Sequence, residues 1–405
     1  TCATCKGGMT RIWLANDAHA RSGNNPRFLS MYNGTDASGS SKVLPGYIQD
    51  FPGTAGNCAN CHAPGQALDA PFTTAMTGLT PVNREYGVHC DFCHKVAGVY
   101  LNPATGLPYE NTPGVLSMDV RRPFPDTPRY QLFFGTFTDD NVPEEDTALP
   151  VIEKSQWCAP CHQFSFWGTP IYQSFREWLE SPYPKMGIEC QTCHMPSDGI
   201  MTNVAPGMGG IERDPKTIHA HTMPGAASIP LLQNTVTMKL KIGQVGGKAI
   251  AAVSITNDRA GHHVPTDHPA RNMILLVRAA DERGRPLNLV SGSTIPDWGG
   301  DLARRPGKGF AKILRDVQTG QAPVASYWKQ TLIVSDNRIP AFATDTSEYV
   351  FSVPRAAAAV TVSARLIFRR VFKQLGDAKR WATPDLTMAE AVQRQAVIPS
   401  GETRP

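Results

Sequence analysis

The sequence predicts an α+β protein of two domains: a loop-rich, partly helical domain over residues 1–230, then an antiparallel β-sandwich over 231–372, with a C-terminal helix and tail over 373–405. Three observations carry this reading. All ten cysteines fall in five Cys-x-x-Cys pairs before residue 194, and none follows. The same stretch is rich in Gly, Pro, Asn and Asp, as in 102–114 and 121–128, with few periodic segments. Beyond Leu231 alternating or β-branched runs between turn signals take over. A length of 405 residues also exceeds what one core usually holds.

Four of the pairs are followed by histidine: Cys58, Cys61 and His62; Cys90, Cys93 and His94; Cys158, Cys161 and His162; Cys190, Cys193 and His194. The fifth opens the chain, with Cys2, Cys5 and then Lys6 in the histidine's place. Two cysteines three positions apart can both form thioethers to porphyrin vinyl carbons, and the next residue then points its ligand at the iron. The pattern therefore predicts five covalent haem c groups. Structural zinc and thioredoxin-like redox pairs are the competing readings, and neither requires a histidine after every pair. The motif starts are 56, 32, 68 and 32 residues apart, which suggests a duplicated two-haem unit. With so little patterned sequence, the porphyrins themselves are expected to supply much of this domain's apolar core.

The elements follow in order. Residues 173–181 place Phe175, Trp178 and Leu179 on one helical face leading into the last motif. Residues 235–242 alternate strictly, and 249–255, 273–279, 349–353 and 360–368 read as further strands of a cysteine-free sandwich. Residues 385–395 read as a short closing helix, and 398–405 as a loose tail.

Five six-coordinate irons need ligands on both faces. The motifs offer Lys6, His62, His94, His162 and His194. The remaining candidates are His19, His89, His219, His221, His262 and His263, while His268 sits beside Pro269 in a turn and has the weakest claim. His89 directly precedes Cys90, too close to reach the far face of its own haem, so it would bind the next haem in a stack. His219 and His221 share a face if extended. His262 and His263 point to opposite sides of an extended segment, so one of them would face a haem. Imidazole on both faces leaves no vacant site, and such haems carry electrons. Met9 and Met195 read as packing residues.

The formal charge of +4 is mildly basic, but haem propionates would make the loaded protein acidic. Lys and Arg are scattered without a basic stripe, which excludes a nucleic-acid reading. No apolar run approaches the ~18 residues of a membrane helix. Haem attachment of this kind takes place outside the cytoplasm, so a periplasmic or extracellular location is expected. No signal peptide precedes the motif, and further residues upstream of Thr1 are expected.

Several segments resemble the multihaem cytochromes grouped with hydroxylamine oxidoreductase, its tetrahaem electron-accepting cytochrome and pentahaem cytochrome c nitrite reductase. These are Trp13 to His19-Ala20, Glu177-Trp178 leading to Gly187-Ile188-Glu189-Cys190, the His194-Met195-Pro196 ending, and His219-Ala-His221. Gly261-His262-His263-Val264-Pro265-Thr266 resembles the β-domain appended to many such proteins. The resemblance implies closely packed haems forming a wire between extracytoplasmic redox partners, including other cytochrome subunits or further copies in an oligomer or filament. The nitrite reductase is similar in a sharper way, since its catalytic haem is attached through Cys-x-x-Cys-Lys. That likeness implies an alternative: a reductase of nitrite, hydroxylamine or a sulfur oxyanion at the Lys6 haem, with Arg11, Tyr86 or His89 in its pocket. The β-domain in place of long C-terminal helices departs from that enzyme.

Overall fold

The computed structural model describes residues 6–122, 132–139 and 145–397, so Cys2 and Cys5 lie outside the described residues. The chain divides into two compact units, Thr1–Ala227 and Ser228–Pro405. Helices and antiparallel sheets are both present, so the fold is of the mixed α+β class, with its sheets concentrated in the second unit.

The first unit is built from short pieces. Its longest described helix, Gly7–Asn16, ends where Asp17 turns to an extended conformation and returns its N–H to Trp13. The next, Pro26–Asn33, is fully punctuated: the Asn25 side chain accepts from the N–H groups of Arg27 and Phe28, Pro26 opens the first turn, and Gly34 closes it at φ 64°. The helix expected over 173–181 spans Ser174–Leu179 and buries Phe175 and Trp178. Three two-stranded sheets lie between the motifs. β1 (Val96–Val99) pairs antiparallel with β2 (Met118–Val120), β3 (Leu132–Gly135) parallel with β4 (Glu145–Ala148), and β5 (Phe164–Phe166) antiparallel with β6 (Thr169–Tyr172). One apolar cluster gathers Tyr32, Met76, Leu79, Phe92 and Val115, with Cys58, Cys93 and Cys161 packed against it. Three motifs thus converge on a single core.

The second unit holds two antiparallel sheets. The first is ordered β10-β13-β8-β7, from β7 (Thr237–Val245), β8 (Lys248–Thr256), β10 (Leu289–Ser291) and β13 (Thr344–Ser352). The second is ordered β12-β11-β9-β14-β15, from β9 (Asn272–Asp281), β11 (Gly307–Asp316), β12 (Thr331–Asp336), β14 (Ala359–Arg369) and β15 (Leu386–Ala396). Gly246 and Gly247, at φ 53° and 74°, make the two-residue turn between β7 and β8. The second sheet packs Ile274, Leu276 and Ile367 under Ile295 and Leu302.

One expectation is overturned. Residues 385–395 are not a helix: β15 pairs with β14 along its whole length, from Ala359 opposite Ala396 to Phe368 opposite Leu386. Ala, Glu and Gln favour helix locally, but β14 presented an unpaired edge, and tertiary pairing overrode propensity. The helix of this region lies earlier, at Lys373–Ala378.

Candidate haem-binding site

Each Cys-x-x-Cys-His segment in the described residues folds as a single helical turn, at Ala59–His62, Cys90–Cys93, Ala159–His162 and Cys190–His194. The turn brings the two thiols to one side and leaves the histidine at its end. Neighbouring chain holds the turns in place. Gly114 passes so closely over the first of them that a Cβ there would lie 2.1 Å from the Asn60 carbonyl oxygen and 2.9 Å from Cys61 Sγ. Glu189 caps the last turn and accepts from the Ser155 N–H and hydroxyl at 2.9 and 2.7 Å, which fastens the Cys190 motif to the chain just before Cys158.

Hydrogen bonds set the histidine tautomers. His94 Nδ1 lies 2.6 Å from the Phe134 carbonyl oxygen, His194 Nδ1 2.7 Å from that of Pro224, His219 Nδ1 2.9 Å from that of Met195, and His221 Nδ1 3.1 Å from that of His219. His262 Nδ1 sits 2.9 Å from its neighbour's carbonyl oxygen, and His19 Nδ1 2.9 Å from Asp17 Oδ1. A carbonyl oxygen only accepts, so in those rings Nδ1 carries the proton and Nε2 keeps the lone pair that a metal needs. His268 is the reverse: its Nδ1 accepts from the Ala270 N–H at 3.2 Å, so its proton is on Nε2. Burial lowers the His62 and His94 pKa values to about 4 and about 3, and lowers those of His221 and His89. These rings are neutral near pH 7, which is the ligating form. Burial also pushes the Cys58 and Cys93 thiols up to about 12. Thiols held protonated in this way are weak nucleophiles.

Two pairs of rings stand at a telling distance. The centres of His94 and His221 are 6.0 Å apart with planes at 30°, and those of His19 and His162 are 6.1 Å apart at 76°. Two metal–nitrogen bonds of about 2.0 Å, plus about 1.1 Å from each nitrogen to its ring centre, give roughly 6 Å across a metal. Each pair therefore leaves room for one iron. Phe133 stacks on His94 at 3.9 Å and Phe28 on His62 at 3.8 Å, fixing the proximal rings. The motifs also meet through sulfur. The Cys61 thiol hydrogen-bonds that of Cys161, and Cys158 that of Cys190.

A cavity of about 540 Å³ opens beside these groups, lined by Lys6, Trp13, Cys90, His94, His219 and His221 among others. Lys6 Nζ rests over the Phe133 ring, 4.4 Å from its centre. Met9 and Met195 line the wall. Arg11, Tyr86 and His89 are absent from it, and Arg11 faces solvent. His262 and His263 belong to the second unit. Among the described residues no group of three or more His, Cys, Asp or Glu side chains is placed to hold a bare ion, as a zinc reading of the cysteine pairs would need. The donor set instead fits covalent haem, with paired thiols and imidazoles whose ring centres are spaced as two ligands of one iron would be.

Sequence reasoning missed Asp17, Phe28 and Phe133, which orient rings rather than bind metal. The Asp17-x-His19 spacing, that of a side chain turning back on the backbone two residues on, was the one legible signal.

Residues 1–95 match the family model described as cytochrome c554 and c-prime. The whole chain is similar in structure to a penta-heme cytochrome c552 from Thermochromatium tepidum, at 23% identity and a TM-score of 0.67, with 98% of this chain and 97% of that one covered. A PapD-like domain of human CEP192 aligns at 7% identity over 42% of this chain and 88% of its own, but its TM-score of 0.17 carries no argument. No curated protein matches the chain. The family match, together with the four histidine motifs, supports a multihaem c-type cytochrome with covalently bound haem, and the structural likeness shows the fold.

Proposed function

We propose that this chain carries five haem c groups and passes electrons along them between extracytoplasmic redox partners. The observation that carries the reading is the spacing of two pairs of imidazoles, His94 with His221 and His19 with His162, at 6.0 and 6.1 Å between ring centres. An iron between two imidazoles has no open position for a substrate, and its remaining chemistry is one-electron transfer. The contacts of Cys61 with Cys161, and of Cys158 with Cys190, support neighbouring haems at three of the motifs. Lys6 supplies one ligand to the first haem. His219, which lines the same cavity with Nε2 left free for metal, is the ligand assigned to the opposite face. His89, in the same unit as the motifs, remains for the haem of His62 or of His194. Partners are redox proteins, with the periplasm or the cell exterior as the place of action.

The test is the low-temperature electron paramagnetic resonance spectrum of the oxidised protein, with and without nitrite. Low-spin signals that nitrite leaves unchanged are expected. A high-spin component altered by nitrite, with rapid nitrite turnover, would instead make the Lys6 haem a reductase centre.

A further inference from the structure

Asp17 stands out among the buried groups of the first unit. Its side chain has no solvent exposure, and Oδ1 meets both the backbone N–H and the ring Nδ1 of His19, each at 2.9 Å. Oδ2 is buried without a hydrogen-bond partner, and no Lys or Arg ion pair reaches Asp17 among the described residues. A carboxylate removed from water is costly unless a positive charge lies close. A ferric iron on His19 Nε2 would supply that charge.

The contrast with the other rings is chemical. His94, His194, His219 and His221 place Nδ1 against neutral backbone carbonyls, and His62 has the neutral Ser22 backbone beside its ring. A carboxylate pulls harder on the imidazole proton than a carbonyl does, makes the ligand more basic, and favours the ferric over the ferrous state.

Resting on the haem reading above, we propose that Asp17 is a positioning residue that makes the site held between His19 and His162 the most reducing in the chain. One electron arriving from an adjoining haem converts ferric to ferrous iron there, with no bond broken and no proton taken up. Because Cys161 adjoins Cys61 and Cys158 adjoins Cys190, this site lies between those of His62 and His194. Asp17 thereby places an uphill step in the middle of the path.

The ring planes provide a spectroscopic label. At 76° the two imidazoles leave the iron dπ orbitals nearly degenerate, so this haem gives a low-spin signal with a large maximum g value, whereas the 30° pair gives a rhombic one. The holoprotein would be titrated potentiometrically while that signal is followed, in the unaltered chain and in Asp17→Asn, Asp17→Glu and His19→Met. In the unaltered chain the large-g signal is expected to be the last reduced, and His19→Met to abolish it. Asp17→Asn, which keeps an acceptor but not the charge, should shift its equilibrium at least tenfold toward the reduced form, about 59 mV for one electron. Asp17→Glu should restore most of that shift. A large-g haem reduced among the first, or a midpoint unmoved by Asp17→Asn, overturns the proposal. Absence of low-spin signals from the unaltered protein would overturn the haem reading itself.

Discussion

The two units solve the problem of a core in opposite ways. The second buries Ile274, Leu276 and Ile367 in strands of ten or eleven residues paired along their length. In the first, the described strands have at most four residues, and buried polar atoms such as Asn60 Nδ2, Trp157 Nε1 and Gln191 Oε1 lack hydrogen-bond partners. Unsatisfied buried groups and a cavity are costly in a finished interior. Their presence around the motifs fits a first unit whose interior is completed by covalent haem, whereas the sheet unit builds its core from its own strands.

The strongest way to break that contrast is to withhold haem. Replacing Cys58 and Cys61 by serine is expected to abolish cooperative folding of the first unit, while residues 228–405 alone should show a β-type circular dichroism spectrum and a sharp melt. A molten sheet unit, or a first unit that folds without haem, would erase the distinction. Next in size, His221→Ala should turn one low-spin haem high-spin, whereas His268→Ala, removing a ring whose proton sits on Nε2, should leave every signal in place. On the sheet side, Ile274→Ala should cost about 2–5 kcal/mol in a denaturant melt of the second unit, without altering the visible spectrum.

The smallest expected effect is one of pH. Burial alone would raise the carboxyl pKa values of Asp336 and Asp316, but Arg338 and Lys329, at 2.7 and 2.6 Å, outweigh it and hold both below 3.8. Groups depressed in the folded state stabilise it above their unfolded pKa, near 3.9, and that contribution is lost as pH falls through the folded value. The melting temperature of the sheet unit should therefore hold from neutral pH to about pH 4 and fall below it. A flat profile would mean that these pairs contribute nothing.

What the sequence disclosed follows the same division. Covalent chemistry fixes the motif positions, so the candidate attachment cysteines and proximal ligands could be named from the sequence directly. Alternation likewise gave β7, β8, β9, β13 and β14. β11 escaped because its glycines and lysines, Lys308 paired with Asp345 and Lys312 buried, break the pattern. β15 was misread because its residues favour helix and its partner edge is set by the fold. The opposed rings were beyond reach for a similar reason. His221 is far along the chain from His94, as His162 is from His19, and the spacing of motifs says nothing of which face a distant ring will meet.

The contact of Cys61 with Cys161, and of Cys158 with Cys190, bears on how the protein is made. A chain that compacted with its thiols uncapped would bring sulfur atoms from different motifs together, and in an oxidising compartment they would close cross-motif disulfides. Such a chain is a dead end for maturation. For a chain loaded with haem as proposed, ligation would have to outrun compaction of the first unit.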